Sequence, residues 1–280
     1  MGPLSGCPES RVLSQDPMWR RTMNLQNKVV VITGGASGLG QATARFLVQE
    51  KGARVALLDM NEAAGKETVD ELGEVNAAFY RVDVTVEHEV DAALDAIIGR
   101  FGAIHADINA AGIPLPFKLL DKEGKASGLQ KFRSVVNINL IGLFTVMAKC
   151  AERMALNEPD EKGERGVIVN ISSGAAFEGQ IGQCGYSASK AGVNGLNMPA
   201  ARELGPLGIR VNSIAPGLFA TPMIKSLTPT VQEALTAMCE APKRMGEMEE
   251  FAMACTFLIE NSYMNGRTIR LDAATTMQAK

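Results

Sequence analysis

Short apolar runs alternate with longer amphipathic segments along nearly the whole chain, and this alternation limits the possible folds most strongly. The first run, KVVVIT at 28–33, is continuously apolar and rich in β-branched residues, as a strand buried on both faces is. Six further runs predict strands at 53–59, 77–84, 104–109, 166–172, 209–216 and 267–272. Segments with helical spacing lie at 39–52, 61–72, 86–101, 132–156, 184–204 and 248–260. Strands joined by helical crossovers pair in parallel, so the sequence predicts an α/β fold with one doubly wound, seven-stranded parallel sheet and helices on both faces.

The domain organisation follows from where this alternation begins. Residues 1–23 contain turn formers and three arginines but no apolar period, so we expect a disordered arm or a cloning remnant. A single domain at 24–280 follows it. The arm lacks the apolar core of a secretory signal, and Glu9 and Asp16 argue against a transit peptide, although a weak matrix-targeting sequence stays an alternative.

Composition excludes several classes of protein. The net charge is −3 without any basic cluster, so neither nucleic acid nor an anionic membrane surface is an expected partner. No apolar run approaches the roughly 18 residues of a membrane span. Five scattered cysteines without a C-x-x-C pair indicate reduced thiols in the cytoplasm, with the mitochondrial matrix as the alternative, and no metal site is expected. Both histidines, His88 and His105, are predicted to be structural.

A glycine-rich loop, TGGASGLG at 33–40, joins the first predicted strand to the first helix. Glycines at this position let the backbone approach a pyrophosphate, whose charge is met by the helix N-terminus, as in a Rossmann fold. The chain has no G-K-[ST] sequence in this loop, which excludes a nucleoside triphosphatase loop. The residues of this loop predicted to contact a dinucleotide are Gly34, Ser37, Gly38, Leu39 and Gly40.

An acid at the end of the second predicted strand indicates which dinucleotide binds. Asp59 lies 19 residues after Gly40, where a carboxylate accepts hydrogen bonds from the adenosine ribose hydroxyls and repels a 2′-phosphate. Ser37 stands in the loop where a basic residue could have met that phosphate. The sequence therefore predicts NAD as the cofactor rather than NADP.

Two more strand ends are predicted to line the same cleft, because ligands of open α/β sheets bind at the carboxyl ends of the strands. Asp83 and Val84 end the third predicted strand, and Asn109 ends the fourth. We expect Asp83 to accept a hydrogen bond from the adenine amino group. The small residues Ala110 and Gly112 would let the nucleotide lie close to the backbone.

A tyrosine and a lysine lie one helical turn apart in the sequence GYSASKAG at 185–192. This spacing puts Tyr186 and Lys190 on one face of a helix, with only small residues between them. Something large could therefore lie against that face. A surface helix with two solvated side chains would give the same pattern, so the spacing alone identifies no site.

Taken together, these motifs resemble the short-chain dehydrogenase/reductase family. The resemblance spans about 27–272 and rests on TGGASGLG at 33–40, Asp59, DV at 83–84, NAAG at 109–112, NLIG at 139–142, Ser173, YSASK at 186–190 and PG at 216–217. It implies that Tyr186 is the general acid/base, that Lys190 lowers the tyrosine pKa and holds the nicotinamide ribose, and that Ser173 orients the substrate oxygen. Ser172 is the neighbouring alternative to Ser173. The resemblance also implies that Asn139 holds a water linking Lys190 to solvent, and structural packing is the alternative role.

A closer resemblance is to the type II 3-hydroxyacyl-CoA dehydrogenase branch of this family, which also includes 17β-hydroxysteroid dehydrogenases. It rests on GAAFEGQIGQCGYSASKAG at 174–192, ELGPLGIRVNSIAPGLFATPM at 203–223, NEPD at 157–160 and a lysine-bearing insertion at 113–131. It implies that Gln180 lines the substrate pocket and that Phe219 and Thr221, after Pro216 and Gly217, meet the nicotinamide end of the cofactor. It also implies a homotetramer in which the helices at 132–156 and 184–204 pair across a two-fold axis, with Phe144, Val146 and Met147 as surplus apolar residues.

We therefore expect an NAD-dependent oxidoreductase that transfers a hydride between a secondary alcohol and NAD, with 3-hydroxyacyl-CoA as the favoured substrate. The segments 113–131 and 217–247 are long enough to cover a substrate, or are solvated insertions. The alternative is a hydroxysteroid or small-alcohol dehydrogenase, because the same catalytic residues serve all three substrates. A non-catalytic dinucleotide-binding regulator is the alternative from another class, and the presence of all four catalytic residues counts against it.

Overall fold

The structure is a computed structural model that describes residues 23–279. The predicted arm therefore lies outside the described residues, except for its last residue. Met23 is only 8% exposed and packs in the same apolar cluster as Leu25. The packed part of the chain thus includes Met23, one residue before the predicted boundary.

Seven parallel strands form one sheet in the order β3-β2-β1-β4-β5-β6-β7. The strands are β1 (Val29–Thr33), β2 (Arg54–Asp59), β3 (Ala77–Arg81), β4 (Ala106–Asn109), β5 (Gly166–Ile171), β6 (Ile209–Pro216) and β7 (Thr268–Leu271). This topology confirms the predicted fold class. The strand order reverses between β1 and β4, and the carboxyl ends of these two strands open the crevice in which such sheets bind ligands.

Helices cover both faces of this sheet. They are α1 (Gly38–Lys51), α2 (Glu62–Leu72), α3 (Glu87–Phe101), α4 (Leu129–Val136), α5 (Leu143–Met154), α6 (Cys184–Leu204), α7 (Pro222–Lys225), α8 (Pro229–Ala237) and α9 (Met248–Glu260). Successive residues of a strand point to opposite faces, so Val30 and Ile32 join the cluster under α1 and α9, whereas Val29 and Val31 join the cluster under α3 and α5. Two buried faces explain why β1 is continuously apolar.

Two predicted element boundaries were wrong. β3 ends at Arg81 rather than at 84, because the Asp83 carboxylate accepts hydrogen bonds from the N–H and O–H of Thr85 and closes a turn. The helix predicted to start at 132 starts at Leu129, after a left-handed Gly128 with φ of +74°. It also contains a π-helical turn, Asn137–Gly142, between α4 and α5.

The combined helix Leu129–Met154 is the one helix of the described residues that is long and apolar enough to cross a membrane by length and composition. The prediction that no segment approaches the length of a membrane span rested on uninterrupted apolar runs, and it missed this helix. In its most apolar window 44% of the residues are buried inside the structure, and α5 packs against α3, β4 and β5. A single such helix is weak evidence for a membrane, since the core helix of a soluble protein passes the same test.

Both long segments follow strands whose carboxyl ends face the crevice. Residues 113–128 follow β4 and contain one antiparallel bridge, between Leu120 and Ala126. The backbone N–H of Phe117 donates to the carbonyl of Gly182 at 3.0 Å, which ties this segment to the start of α6. Residues 217–247 follow β6 and contain the short helices α7 and α8.

Candidate active site

A cleft of about 600 Å³ opens at the carboxyl ends of β1, β2 and β4. Ten of the predicted cofactor residues line it, namely Gly34, Ser37, Gly38, Leu39, Gly40, Asp59, Asp83, Val84, Ala110 and Gly112. The sequence interpretation missed its other walls, which are Leu58, Met60, Val82, Ala111, Ile113 and Ile138. These residues are mostly apolar and follow or end strands, so in the sequence they cannot be told from core residues.

The backbone of the glycine loop explains why glycines stand in it. Gly34 and Gly38 have φ of +65° and +53°, a region that residues with a side chain rarely adopt. A Cβ on Gly40 would lie 2.4 Å from the carbonyl oxygen of Gly34, so only glycine allows the close approach of α1 to the loop. Ser37 precedes α1 without capping it through its side chain. The N–H groups of the first turn therefore remain available to an anionic group.

Asp59 is held in place by the loop across the cleft. Its Oδ2 accepts a hydrogen bond from the N–H of Ala36 at 3.1 Å, and its Oδ1 accepts one from the N–H of Asn61 at 3.0 Å. A carboxylate has further lone pairs on both oxygens, so it can still accept hydrogen bonds from a ribose. Asp59 thus orients the glycine loop while presenting a negative charge to the cleft.

Asp83 and Val84 line the cleft beside the turn that ends β3. The N–H of Asp83 donates to Glu89 at 2.9 Å, while its carboxylate holds Thr85. Val84 packs so closely against the π-helical turn that a Cβ on Gly142 would lie 2.7 Å from its side chain. This contact couples the wall of the cleft at Val84 to the turn that carries Asn139.

The side chain of Asn109 does not line the cleft. It is 1% exposed, and its Nδ2 donates to Asp107 at 2.5 Å and to Asn170 at 3.1 Å inside the sheet. We expected Asn109 to contact the cofactor, but its side chain is not placed to do so. Asp107 and Asn109, two residues apart on β4, share one face of the strand, and that face is buried. Asn109 instead fixes the ends of β4 and β5, while Ala110 and Gly112 reach the cleft.

The predicted catalytic pair on α6 adjoins this cleft at Gly112, where a Cβ would lie 3.5 Å from the Lys190 Nζ. Tyr186 and Lys190 lie one turn apart on α6, and the Lys190 Nζ lies 5.8 Å from the centre of the tyrosine ring. The Ser173 side chain forms a hydrogen bond with Tyr186, and this bond acts to lower the tyrosine pKa. Ser173 is 7% exposed, and its Oγ accepts the N–H of Ala175 at 3.1 Å, which leaves its O–H free to donate.

The structure distinguishes the two neighbouring serines. Ser172 is 1% exposed, and its hydroxyl donates to the backbone carbonyl of Lys190 at 3.1 Å. It therefore braces α6 against β5. Ser173, not Ser172, has its hydroxyl beside Tyr186, in agreement with the family spacing.

Burial changes the acidity of both groups on α6. It lowers the pKa of Lys190 to about 8, and the Nζ donates its one described hydrogen bond to the carbonyl of Ile171 at 2.7 Å. Burial raises the pKa of Tyr186 above its usual value, and the hydrogen bond with Ser173 opposes that rise. The Lys190 ammonium lies over the tyrosine ring rather than in a described hydrogen bond with the phenol.

Asn139 clamps the chain that leaves β4. Its Oδ1 accepts the N–H of Ile113 at 2.8 Å, and its Nδ2 donates to the carbonyl of the same residue at 3.1 Å. A third contact joins Nδ2 to Ser189 at 3.3 Å. A Cβ on Gly112 would lie 3.2 Å from Asn139 and 3.5 Å from the Lys190 Nζ, so Asn139 and Lys190 face the same point of the backbone. The packing role is therefore visible, and the water relay stays a prediction.

Three residues, Gln180, Thr221 and Phe219, were predicted to lie at the nicotinamide and substrate end, and their side chains have different surroundings. Gln180 is partly buried and exchanges hydrogen bonds with Gln183, which orders the turn before α6. Thr221 caps α7 through its side chain. The ring of Phe219 points into the core and packs edge-on against Phe251, 5.9 Å between ring centres. Only the backbone of Phe219 is therefore free to meet a cofactor.

The strand end at β6 is shaped by a close contact. Pro216 is the last residue of the strand, and Gly217 donates its N–H to the carbonyl of Leu271 at 2.9 Å. A Cβ on Gly217 would lie 2.6 Å from the Cβ of Asp272, so this position requires glycine. The contact joins the end of β6 to the segment after β7.

Known proteins resemble this chain over most of its length. The family model for short chain dehydrogenases matches residues 28–232. The 3-hydroxyacyl-CoA dehydrogenase type-2 of Bos taurus is 46% identical over 256 residues, which are 91% of this chain and 97% of that protein. The ipsdienol dehydrogenase of Ips pini is 34% identical over 254 residues, 90% of this chain and 98% of that protein. The crystal structure of 3-hydroxyacyl-CoA dehydrogenase type-2 from Mycobacterium avium matches with a TM-score of 0.86 at 38% identity, covering 92% of this chain and 100% of that chain.

A glycine loop and Asp59 thus line one cleft of a seven-stranded parallel sheet, and Lys190 adjoins that cleft at Gly112. The family match covers this cleft and the catalytic residues on α6. The chain is an oxidoreductase that belongs to the short-chain dehydrogenase family.

Proposed function

We propose that the protein is an NAD-dependent 3-hydroxyacyl-CoA dehydrogenase, which interconverts a 3-hydroxyacyl-CoA and a 3-ketoacyl-CoA. The observation that carries the proposal is the 46% identity, over 91% of the chain, to a protein of that name. The cleft supports it, because its glycine loop and Asp59 suit a dinucleotide, and Lys190 adjoins it at Gly112, one helical turn from Tyr186.

The residues of the cleft suit a nicotinamide dinucleotide. A Cβ on Gly38 would meet no protein atom within 4 Å, so the loop leaves room for a pyrophosphate, and the first-turn N–H groups of α1 are uncapped there. Asp59 would hold the adenosine ribose. None of the residues that line the cleft is a lysine or an arginine that could pair with a 2′-phosphate, which favours NAD over NADP.

The chain's own residues would manage the proton while the bound dinucleotide supplies the hydride acceptor. Ser173 would donate its free O–H to the substrate oxygen, on which negative charge develops. Tyr186 would take the hydroxyl proton in dehydrogenation and return it in ketone reduction. A nearby positive charge favours the phenolate form, and Lys190 is the cation of this chain nearest to the ring among the described contacts.

The lysine-bearing segment 113–131 supports coenzyme A as the carrier. Its four lysines are exposed at the carboxyl end of β4. Lys125 pairs with Glu123 at 3.3 Å, and Lys131 donates to the carbonyl of Pro116 at 3.5 Å. Lys118 and Lys122 have no salt bridge within the described part of the chain, so their charges are the ones free to meet phosphates.

One assay separates this proposal from a dehydrogenase of another alcohol. NADH oxidation is measured with acetoacetyl-CoA and with a panel of steroid ketones and small free ketones. We expect the highest kcat/KM with acetoacetyl-CoA. A higher kcat/KM with a free ketone would favour the small-alcohol alternative, which the identity to an ipsdienol dehydrogenase also supports. No turnover with any ketone would favour the non-catalytic regulator.

We also propose a homotetramer. Ile141 and Phe144 on the helix of α4 and α5 are 52% and 50% exposed, and Met253 and Phe257 on α9 are 58% and 48% exposed. Val146 and Met147, which the sequence interpretation assigned to the same surplus face, are buried within the chain at 0% and 3% exposure, so that part of the expectation was wrong.

Light scattering at micromolar concentration tests the assembly, and a monomer mass would contradict it.

We further propose a cytoplasmic location, with the mitochondrial matrix as the alternative. The free thiols of Cys150, Cys184, Cys239 and Cys255 suit a reducing compartment. Fractionation of cells that express the full chain distinguishes the two compartments.

A further inference from the structure

The chain reverses direction directly after β7. Ala273 and Ala274 have φ of +50° and +55°, a left-handed conformation that is unfavourable for a residue other than glycine. The carbonyl of Ala273 accepts the N–H of Glu240 at 2.9 Å, so the surrounding structure holds this turn in place. The turn directs residues 272–279, the C-terminal tail, back across the domain.

The C-terminal tail is bonded to the segment that follows the catalytic serine. The N–H of Met277 donates to Glu178 Oε2 at 3.2 Å, and the N–H of Ile181 donates to the carbonyl of Ala279 at 3.0 Å. Arg270 pairs with Glu178 at 3.1 Å and also donates to the tail at the Thr275 carbonyl, at 3.2 Å. The pKa of Glu178 is lowered by Arg270 and by the Met277 N–H, so its carboxylate form holds the contact.

The segment held by the tail links the two catalytic side chains. It begins at Ser173 and ends at α6, which carries Tyr186. Gln180, the residue predicted to line the substrate pocket, lies between Glu178 and Ile181, both of which the tail contacts. The tail therefore fixes the chain on both sides of the predicted pocket residue.

One side chain of the tail approaches the residue that follows Ser173. A Cβ built on Gly174, the residue after Ser173, would lie 3.9 Å from the Met277 methyl carbon. Met277 is partly exposed, so its side chain is accessible from the solvent side. A methionine is apolar and flexible, so it can pack against chains of different shape.

We propose that the C-terminal tail forms one wall of the substrate site and that Met277 limits the size of the acyl group accepted beside Ser173. The inference rests on the proposed ketoacyl reduction and adds a specificity-determining residue to it. Shortening Met277 removes three heavy atoms from the wall. The site then contacts a short acyl group less well and admits a longer one with less hindrance.

The test compares Met277→Ala with the wild-type chain and with Gln278→Ala, a neighbouring change to an exposed tail residue. The kcat/KM ratio of 3-ketodecanoyl-CoA to acetoacetyl-CoA is measured for each protein, together with the NADH dissociation constant. We expect Met277→Ala to raise the ratio about fivefold, mainly through KM. Gln278→Ala should leave the ratio unchanged, and NADH binding should be equal in all three proteins. A ratio for Met277→Ala equal to that of wild type would overturn the proposal.

A measurement without turnover tests the wall separately. Deletion of residues 276–280, or Glu178→Gln if the deleted chain does not fold, should speed hydrogen exchange at the Ile181 amide by about tenfold. Unchanged exchange would mean that the tail does not hold this segment.

Should wild type reduce no 3-ketoacyl-CoA, the proposed function fails, and the kcat/KM ratio is then measured with a large and a small free ketone. An unchanged ratio there would overturn the wall as well.

Discussion

Replacement of Asp107 by asparagine should stabilise the protein, and more strongly as the pH rises. The Asp107 carboxyl is fully buried in β4, and burial raises its pKa from 3.8 to about 7, against the effect of hydrogen bonds from Asn109 and Cys150. Asp107 Oδ1 and Asn109 Oδ1 have no hydrogen-bond partner among the described residues. An ionised Asp107 is therefore a charge buried without a compensating cation.

The direction follows from proton linkage. Between pH 3.8 and about 7 the folded state binds a proton at Asp107 that the unfolded state has released, so folding stability falls as the pH rises through this window. The shift is roughly 3 pKa units, which corresponds to about 4 kcal/mol above pH 7 and about 1.5 kcal/mol at pH 5. Asparagine keeps the carbonyl that accepts from Asn109 and removes the ionisable oxygen, which has no described hydrogen-bond partner.

Urea unfolding at pH 5 and pH 8 measures the effect. We expect Asp107→Asn to exceed wild type in unfolding free energy at both values, with a gain about 2.5 kcal/mol larger at pH 8. Asp70→Asn, at an exposed position on α2, is the matched control and should stay within about 0.5 kcal/mol of wild type at both. A gain for Asp107→Asn that is equal at the two pH values, or a loss at pH 8, would refute the buried-charge argument.

Three further predictions concern the proton transfer, the choice of cofactor and the binding of coenzyme A. Tyr186→Phe should lower kcat at least about 100-fold while stopped-flow binding of NADH stays unchanged, and substantial turnover would mean that another group moves the proton. Asp59→Asn keeps an oxygen for the Ala36 N–H but removes the charge, so the preference for NADH over NADPH in kcat/KM should narrow at least about tenfold. A wild-type enzyme equally efficient with both cofactors would contradict this. Changing Lys118 and Lys122 together to Gln should raise KM for acetoacetyl-CoA about threefold, less at high salt, without affecting a phosphate-free ketone. Equal effects on both substrates would count against phosphate binding.

Much of the fold and of the cleft could be predicted because the signals are local. A continuously apolar run identifies β1, and a strand end followed by glycines identifies the loop that carries Ser37. The polar pair Asp107 and Asn109 also gave a usable signal, since two residues apart on a strand they share one face. That shared face is buried, so the side chain of Asn109 lies inside the sheet and not in the cleft.

Other features depend on contacts that no local pattern records. The π-helical turn around Asn139 departs from the 3.6-residue period, because its amide bonds to the backbone of Ile113, 26 positions earlier. Which of Ser172 and Ser173 is left to face Tyr186 depends on which hydroxyl donates a hydrogen bond to the carbonyl of Lys190. The tail reaches Glu178 across 99 positions of sequence, so only the folded chain shows that they meet.

The hydrogen bond between Asp59 and the Ala36 N–H has a consequence for engineering and for evolution. One side chain would discriminate between cofactors, and it also ties the end of β2 to the loop that would cradle the pyrophosphate. A mutant library that replaces Asp59 by any small apolar residue would lose both properties together, and variants selected for NADPH would bind either dinucleotide weakly. A productive path to NADPH therefore begins with a basic residue at Ser37, while an oxygen acceptor is still in place at position 59. The order of the two substitutions, rather than their identity alone, would decide whether the intermediate enzyme remains active.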